Sequence, residues 1–228
     1  NGLMLFSKVF LLSLLLVLPG AVASSYEAEI ENWRRAREAR LRADDGWLTV
    51  VGLFWLKEGK NTVGTDSGHE IVLPRGSAPG AVGAFEFHSG TTIFQAAPGV
   101  EVRVNHKPAT RAALKPDSAG SPDVLTIGSL TMFVIERGGR YGIRLKDKSS
   151  EPRRAFTGLK HYAVKPRYRL RAKFVPYHPP KKISVPNILG DVEEETSPGY
   201  VEFTLHGRKC RLEPLDEGDA LFFIFKDM

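Results

Sequence analysis

The sequence predicts a mainly β protein: an N-terminal helix, then a β-sandwich lobe, then a second antiparallel β lobe. Three observations carry that expectation. Helical periodicity is confined to one stretch near the N-terminus, after which short apolar runs bounded by Gly, Pro, Asn or Ser take over. Gly and Pro are frequent, 22 and 15 among 228 residues, as suits a chain that turns often. Apolar residues make up 42% and charged residues 25%, which excludes a wholly disordered, collagen-like or polytopic membrane chain. A single cysteine excludes an internal disulfide framework and a cysteine-based zinc module.

The first residues read as an export signal. Lys8 precedes the apolar run 9–18, Pro19-Gly20 breaks it, and Ala21-Val22-Ala23 offers a small-residue cleavage site. The run is shorter than the roughly 20 residues that span a bilayer. Cleavage after Ala23 is therefore expected, with periplasmic or secreted localisation and contact with a membrane only through this transient segment. The expected organisation is a signal peptide at 1–23, an N-terminal helix at 24–45, a β-sandwich lobe at 46–147 and a second β lobe at 148–228. At the far end, 221–225 reads as a buried apolar strand that stops as it finishes, so the second lobe is expected to be incomplete at its C-terminus.

The helix is expected over 26–43. Tyr26, Ile30, Trp33 and Leu41 fall near one stripe, interrupted by Arg37. Glu27, Glu29 and Glu31 occupy its first half, and Arg34, Arg35, Arg37, Arg40 and Arg42 its second. That order complements the helix dipole, so helix stability accounts for the arginines. No recognition motif accompanies them, and nucleic acid is not expected as a partner.

After Asp44-Asp45-Gly46 the pattern turns strand-like. Runs at 47–56, 70–73, 84–87, 91–95, 100–104, 124–127 and 130–136 are expected as strands, and Arg137-Gly138-Gly139-Arg140 turns the chain into 141–145. The polar stretch 146–158 reads as a connection between lobes. In the second lobe strands are expected at 167–175, 183–185, 192–196, 200–205, 210–212 and 221–225, with a hairpin closed by His206-Gly207.

Motifs for familiar chemistry are missing. His69-Glu70 begins like a zinc-protease helix, but Leu73 stands where the second histidine belongs, and the 6 histidines show no ligand spacing. No metal or cofactor is therefore expected. There is no G-x-S-x-G elbow, Walker loop or G-x-G-x-x-G fingerprint. Cys210 lies in a strand beside cations and reads as a packed side chain. The alternation Arg167, Arg169, Arg171 and Lys173 against Tyr168, Leu170, Ala172 and Phe174 would place four cations on one strand face, either neutralised by Glu193 and Glu195 across the sheet or offered as a docking face to an acidic ligand or envelope surface.

Several motifs resemble a bacterial exported family, domain of unknown function 1684. They are Gly46-Trp-Leu-Thr-Val-Val-Gly-Leu-Phe-Trp-Leu-Lys-Glu-Gly59, Arg137-Gly-Gly-Arg-Tyr-Gly-Ile-Arg144, Phe156-Thr-Gly-Leu159, Ser197-Pro-Gly-Tyr200 and Leu221-Phe-Phe-Ile-Phe-Lys-Asp227. The resemblance runs from about Trp33 to the last residue. It implies an architecture and supplies no activity. Family members continue past this end, which agrees with the expected truncation. The first lobe also resembles a forkhead-associated (FHA) β-sandwich, through Lys57-Glu-Gly-Lys-Asn-Thr-Val-Gly64, Glu70-Ile-Val-Leu-Pro74 and Val102-Arg-Val-Asn105. The Ser-x-x-His that orders that module's phosphothreonine site is replaced after Pro74 by Arg75-Gly76-Ser77-Ala78, so the resemblance implies a fold without its reading residues.

Two functions follow. One is a ligand- or envelope-binding module whose ligand is anionic. The other is a hydrolase with a site between the lobes. Both draw on the same candidates, Arg144, Asp147, Arg153, Arg154 and His161, which together offer an acid, a base and anion-holding cations.

Overall fold

The computed structural model describes residues 25–186 and 192–225. The expected export signal at 1–23 lies outside the described residues. Helix α1 (Tyr26–Arg42) starts where Ser25 accepts a hydrogen bond from the Ala28 amide at 3.2 Å, and carries Glu27 and Glu29 in its first turn and Arg40 and Arg42 in its last. None of its residues is buried. Polar contacts to the segment 156–162 hold it instead: Arg34 donates to the Tyr162 carbonyl at 2.7 Å, Arg42 to the Phe156 carbonyl at 3.2 Å, and the Leu159 amide donates to Glu38 at 2.8 Å.

The first lobe opens with a 3-10 turn (Trp47–Thr49). Its strands are β1 (Val50–Trp55), β2 (Gly59–Gly64), β3 (Ile71–Val72), β4 (Gly83–His88), β5 (Thr91–Ala96) and β6 (Val102–Val104), then β7 (Lys107–Ala109), β8 (Arg111–Leu114), β9 (Leu125–Ile127), β10 (Leu130–Arg137) and β11 (Arg140–Asp147). They make a six-stranded sheet in the order β1-β11-β10-β9-β6-β7 and a five-stranded sheet in the order β3-β2-β4-β5-β8. Inward residues of both sheets meet in one core: Val63, Ile71, Phe85 and Phe94 from one, Leu125, Leu130, Met132, Val134, Ile143 and Leu145 from the other. That is a β-sandwich. Short β7 and β8 escaped the sequence reading because Lys-Pro-Ala and Arg-Ala-Ala-Leu lack the β-branched and aromatic residues that announce a strand.

Asn61 pins the first turn of this sandwich. It is buried, its carboxamide oxygen accepts from the Lys57 amide at 2.9 Å, and its nitrogen donates to the carbonyls of Lys57 at 2.8 Å and Gly59 at 3.1 Å. Gly59 has φ +89°, which a side chain there would strain. Among the described residues one buried side-chain polar atom is unpaired: the Thr92 hydroxyl, on a residue 2% exposed, has no hydrogen-bond partner. Replacing it with an apolar group of like shape removes that desolvation cost, so Thr92→Val is expected to raise stability by about 1 kcal/mol. A shift of the urea midpoint to higher concentration would show it; a lower midpoint would contradict it.

Glu70 ties β2 to the start of β3. Its carboxylate accepts from the Thr62 hydroxyl and, at 2.9 Å, from the Thr62 amide. These bonds, the hydroxyl's first, hold its pKa down at about 2 against an ordinary 4.5. A depressed folded-state pKa gives stability that is complete above the unfolded value and lost as pH falls through the folded one. The contact is therefore expected to hold above pH 4.5 and to fail near pH 2. A carboxyl carbon NMR titration of Glu70 is expected to have its midpoint near 2, and a midpoint near 4.5 would contradict the contact.

Beyond β11, the short helix α2 (Glu151–Ala155) leads into the second lobe. That lobe holds β12 (Lys173–Pro186), β13 (Val192–Leu205) and β14 (Arg208–Leu212) in one sheet, and β15 (Pro214–Asp216) paired with β16 (Leu221–Phe223) in another. A polar network braces it. The Tyr177 hydroxyl donates to Glu213 at 2.6 Å and accepts from Arg211, whose guanidinium lies 3.6 Å from the Tyr200 ring centroid, and Lys181 pairs with Glu213 at 3.2 Å. The Tyr177 hydrogen bond leads the effects that hold the Glu213 carboxyl below its usual range.

Two expectations for this lobe are corrected. The alternating segment 167–172 is not a strand: Pro166–Tyr168 forms a 3-10 turn and β12 begins only at Lys173. Glu193 and Glu195 lie opposite Val185 and Ile183 rather than the cations. Arg169 instead approaches Glu29 at 4.0 Å and covers the Tyr26 ring at 5.2 Å. Alternation without a neighbouring strand to complete the ladder does not make a strand. The run 221–225 is paired only over β16 and is largely exposed, with Phe222 at 51% and Phe225 at 68%.

Candidate functional site

The outer face of the six-stranded sheet gathers cations and aromatic rings. Ile143 and Leu145 point into the core, so alternation turns Arg140, Gly142, Arg144 and Lys146 outward along β11. Neighbours in register are Phe133 beside Arg144 and Ile135 beside Gly142 on β10, and Leu53 and Trp55 at the same two levels on β1. Trp47, in the 3-10 turn before β1, is 70% exposed and lies over this face.

A groove of about 260 Å³ opens there. Val50, Phe133 and Ile135 line it with apolar surface, and Trp47, Arg144, Lys146, Arg137, Asp45 and Asp117 complete it. The Arg144 guanidinium stands 5.8 Å from the Trp47 centroid and the Lys146 ammonium 5.5 Å from that of Phe133. Lys146 also donates to the Asp45 carbonyl at 2.7 Å, which fixes the ammonium at the groove mouth. Among the described residues Arg144 is paired with no carboxylate. Arg137 differs, since it binds Asp117 at 2.8 Å. Burial works to raise the Asp117 pKa, but hydrogen bonds from Arg137 and the Glu136 amide outweigh it and keep the carboxyl ionised below its usual range. Arg137–Asp117 is thus a wall of the groove, while Arg144 and Lys146 keep charge to offer.

The sequence candidates separate. Arg144 lies in the groove. Asp147 is buried and accepts from the Ser149 amide at 2.8 Å, closing the turn after β11. Together with exposed Arg154 it lines a different, polar hollow of about 580 Å³ beside Arg75 and Ser77. Arg153 binds Asp44 at 2.6 Å and donates to the carbonyls of Arg42 and Lys148, fastening α1 to the first lobe. His161 faces Glu38 of α1 at 3.7 Å. Asp147 and His161 therefore have separate partners. Another hollow, about 770 Å³ along β6, β7 and β9, is lined by no aromatic ring, and the cation on its wall, Arg103, donates to the His106 carbonyl.

Sequence reasoning missed Trp47, Phe133 and Lys146. The alternation Arg140, Arg144, Lys146 is visible in the sequence, and it marks an outward cationic row once 141–145 is read as a strand.

Residues 154–228 match the model of a family described as "Protein of unknown function (DUF1684)". That match covers about a third of the chain and shows similarity over this stretch alone. The DUF1684 match begins at Arg154 rather than near Trp33, so it takes in the second lobe and leaves the groove upstream of it. No curated protein matches the chain. Among solved structures, the FhaA FHA domain in complex with the intracellular domain of Rv3910 is 15% identical, over 41% of this chain and 97% of that one, with a TM-score of 0.30. An FHA domain studied for phosphothreonine-dependent interactions gives 15%, 41%, 92% and 0.30 on the same measures. The second FHA domain of the Mycobacterium tuberculosis ABC transporter Rv1747 gives 22%, 39%, 77% and 0.29. Likeness of this degree carries no argument about a ligand.

Proposed function

We propose that this protein is an exported, non-catalytic binding module that takes an anionic group carried on a ring or other apolar body. The groove beside Trp47 is its site. The observation that carries this reading is Arg144, a guanidinium free of carboxylate partners among the described residues, 5.8 Å from the Trp47 ring, opposite Phe133 in the β10–β11 register and sharing the groove with Lys146. A guanidinium offers a planar fork of donors to a carboxylate or phosphate, and the rings and Val50 supply contact for the body that bears it. The small volume suits a single ring and one charged group.

Phenyl phosphate is a suitable probe. Saturable binding is expected, with the indole NMR signal of Trp47 shifted; phenol and inorganic phosphate, each lacking half the chemistry, are expected to bind more weakly. Equal binding of all three, or none, would contradict the site.

The export half of this reading rests on Lys8, the apolar run 9–18 and Ala21-Val22-Ala23. N-terminal sequencing of the protein made in a bacterial host that secretes is expected to begin at Ser24. A product that retains residues 4–23 would refute export by this route.

A further inference from the structure

The groove is not uniformly basic. Arg137, Arg144 and Lys146 line it together with the carboxylates Asp45 and Asp117. Arg137 and Asp117 bind each other at 2.8 Å, which leaves Arg144, Lys146 and Asp45. Asp45 differs from its neighbour Asp44, which binds Arg153 at 2.6 Å and stands 3.8 Å from Lys148. Asp45 is exposed, and among the described residues its carboxylate forms no ion pair, although the Lys146 ammonium donates to its backbone carbonyl at 2.7 Å. Covalent geometry keeps that carboxylate within roughly 6 Å of the same carbonyl oxygen, at the mouth of the groove. The turn that carries it is fixed. The Gly46 amide donates to the Ala43 carbonyl at 2.9 Å, the Thr49 hydroxyl donates to the Gly46 carbonyl at 2.7 Å, and a Cβ on Gly46 would stand 2.3 Å from the Arg40 carbonyl oxygen. One unpaired carboxylate thus shares the mouth with two cations that keep charge to offer.

Resting on the groove reading above, we propose that the ligand is a free α-amino acid with a ring side chain, its carboxylate at Arg144 and Lys146, its α-ammonium at Asp45 and its ring in the apolar part of the groove. The chemistry favours this class over others. An α-amino acid holds its two charged groups roughly 3 Å apart, so both can be met at one mouth. A peptide cannot do this: its C-terminal residue has lost the α-ammonium to an amide bond, and its N-terminal residue has lost the carboxylate. A groove of about 260 Å³ also holds one residue rather than a chain. A polyanion would set further negative charge against Asp45 and Asp117, which like-charge repulsion opposes.

The test is a calorimetric titration of the protein with L-phenylalanine, with 3-phenylpropanoate, which lacks the α-ammonium, with glycyl-L-phenylalanine, in which an amide replaces it, and with phenyl phosphate. Wild type is expected to bind phenylalanine about tenfold more tightly than 3-phenylpropanoate or the dipeptide, as one added charge-assisted contact does. Asp45→Asn keeps the backbone carbonyl and the size of the side chain, and is expected to bring the ratio of phenylalanine to 3-phenylpropanoate affinity to about one. The comparison of ligands on wild type stands without the variant, so a variant that fails to fold does not remove the test. Equal binding of phenylalanine and 3-phenylpropanoate by wild type, with phenyl phosphate bound, would overturn the amino acid and leave the groove standing. Tighter binding of the dipeptide than of phenylalanine, or a tenfold ratio that persists in Asp45→Asn, would overturn it as well. If wild type binds none of the four, the groove and the amino acid fall together.

Discussion

Phe85→Ala is expected to destabilise the protein by about 3–5 kcal/mol, the range for truncating a buried aromatic residue. Phe85 is fully buried, lies opposite Phe94 in the β4–β5 register, and packs against that ring with centroids 5.0 Å apart. Both rings belong to the cluster that joins the two sheets, so truncation opens a cavity at the centre of the sandwich. The backbone on either side is fixed by ladder hydrogen bonds and cannot collapse to fill it. Urea denaturation provides the check. A loss below about 1 kcal/mol would mean that the sheets do not pack through these rings.

The second large effect is on binding. Arg144→Ala is expected to weaken phenyl phosphate binding by about tenfold or more, because it removes the bidentate donor that faces the anion. Stability is expected to change by less than about 1 kcal/mol, since the exposed stack on Trp47 is the interaction lost. Arg144→Lys is expected to restore binding only in part, since an ammonium keeps the charge and loses the planar fork. Full binding by Arg144→Ala would remove the arginine from the site, and restored binding in Arg144→Lys to the wild-type level would show that charge alone matters.

The sequence displayed most of this fold where local chemistry and long-range pairing agree. An apolar stripe with glutamates in its first half and arginines in its second announced α1, and Arg137-Gly138-Gly139-Arg140 announced the β10–β11 hairpin. It misled where alternation occurred without a partner strand. Arg167 to Phe174 has the period of a strand, yet pairing with β13 starts only at Lys173, opposite Glu202. The site was half legible. Arg144 stood out by charge, but its neighbours Trp47 and Asp45 come from the far end of the lobe, and only the β1–β11 pairing brings them together. Asp147, Arg153 and His161 looked chemical for the same reason Arg144 did, and the structure gives each a partner that closes a turn or fastens α1. Charge in a sequence reports that a residue needs a partner; only the fold reveals whether the chain already supplies one.

The groove is most directly tested by a crystal structure of the protein soaked with phenyl phosphate at saturating concentration. Phosphate oxygens within hydrogen-bond distance of both Arg144 and Lys146, with the phenyl ring against Trp47 and Phe133, are the expected result. A phosphate seated instead in the polar hollow beside Arg75 and Arg154, with nothing bound at Arg144, would contradict it.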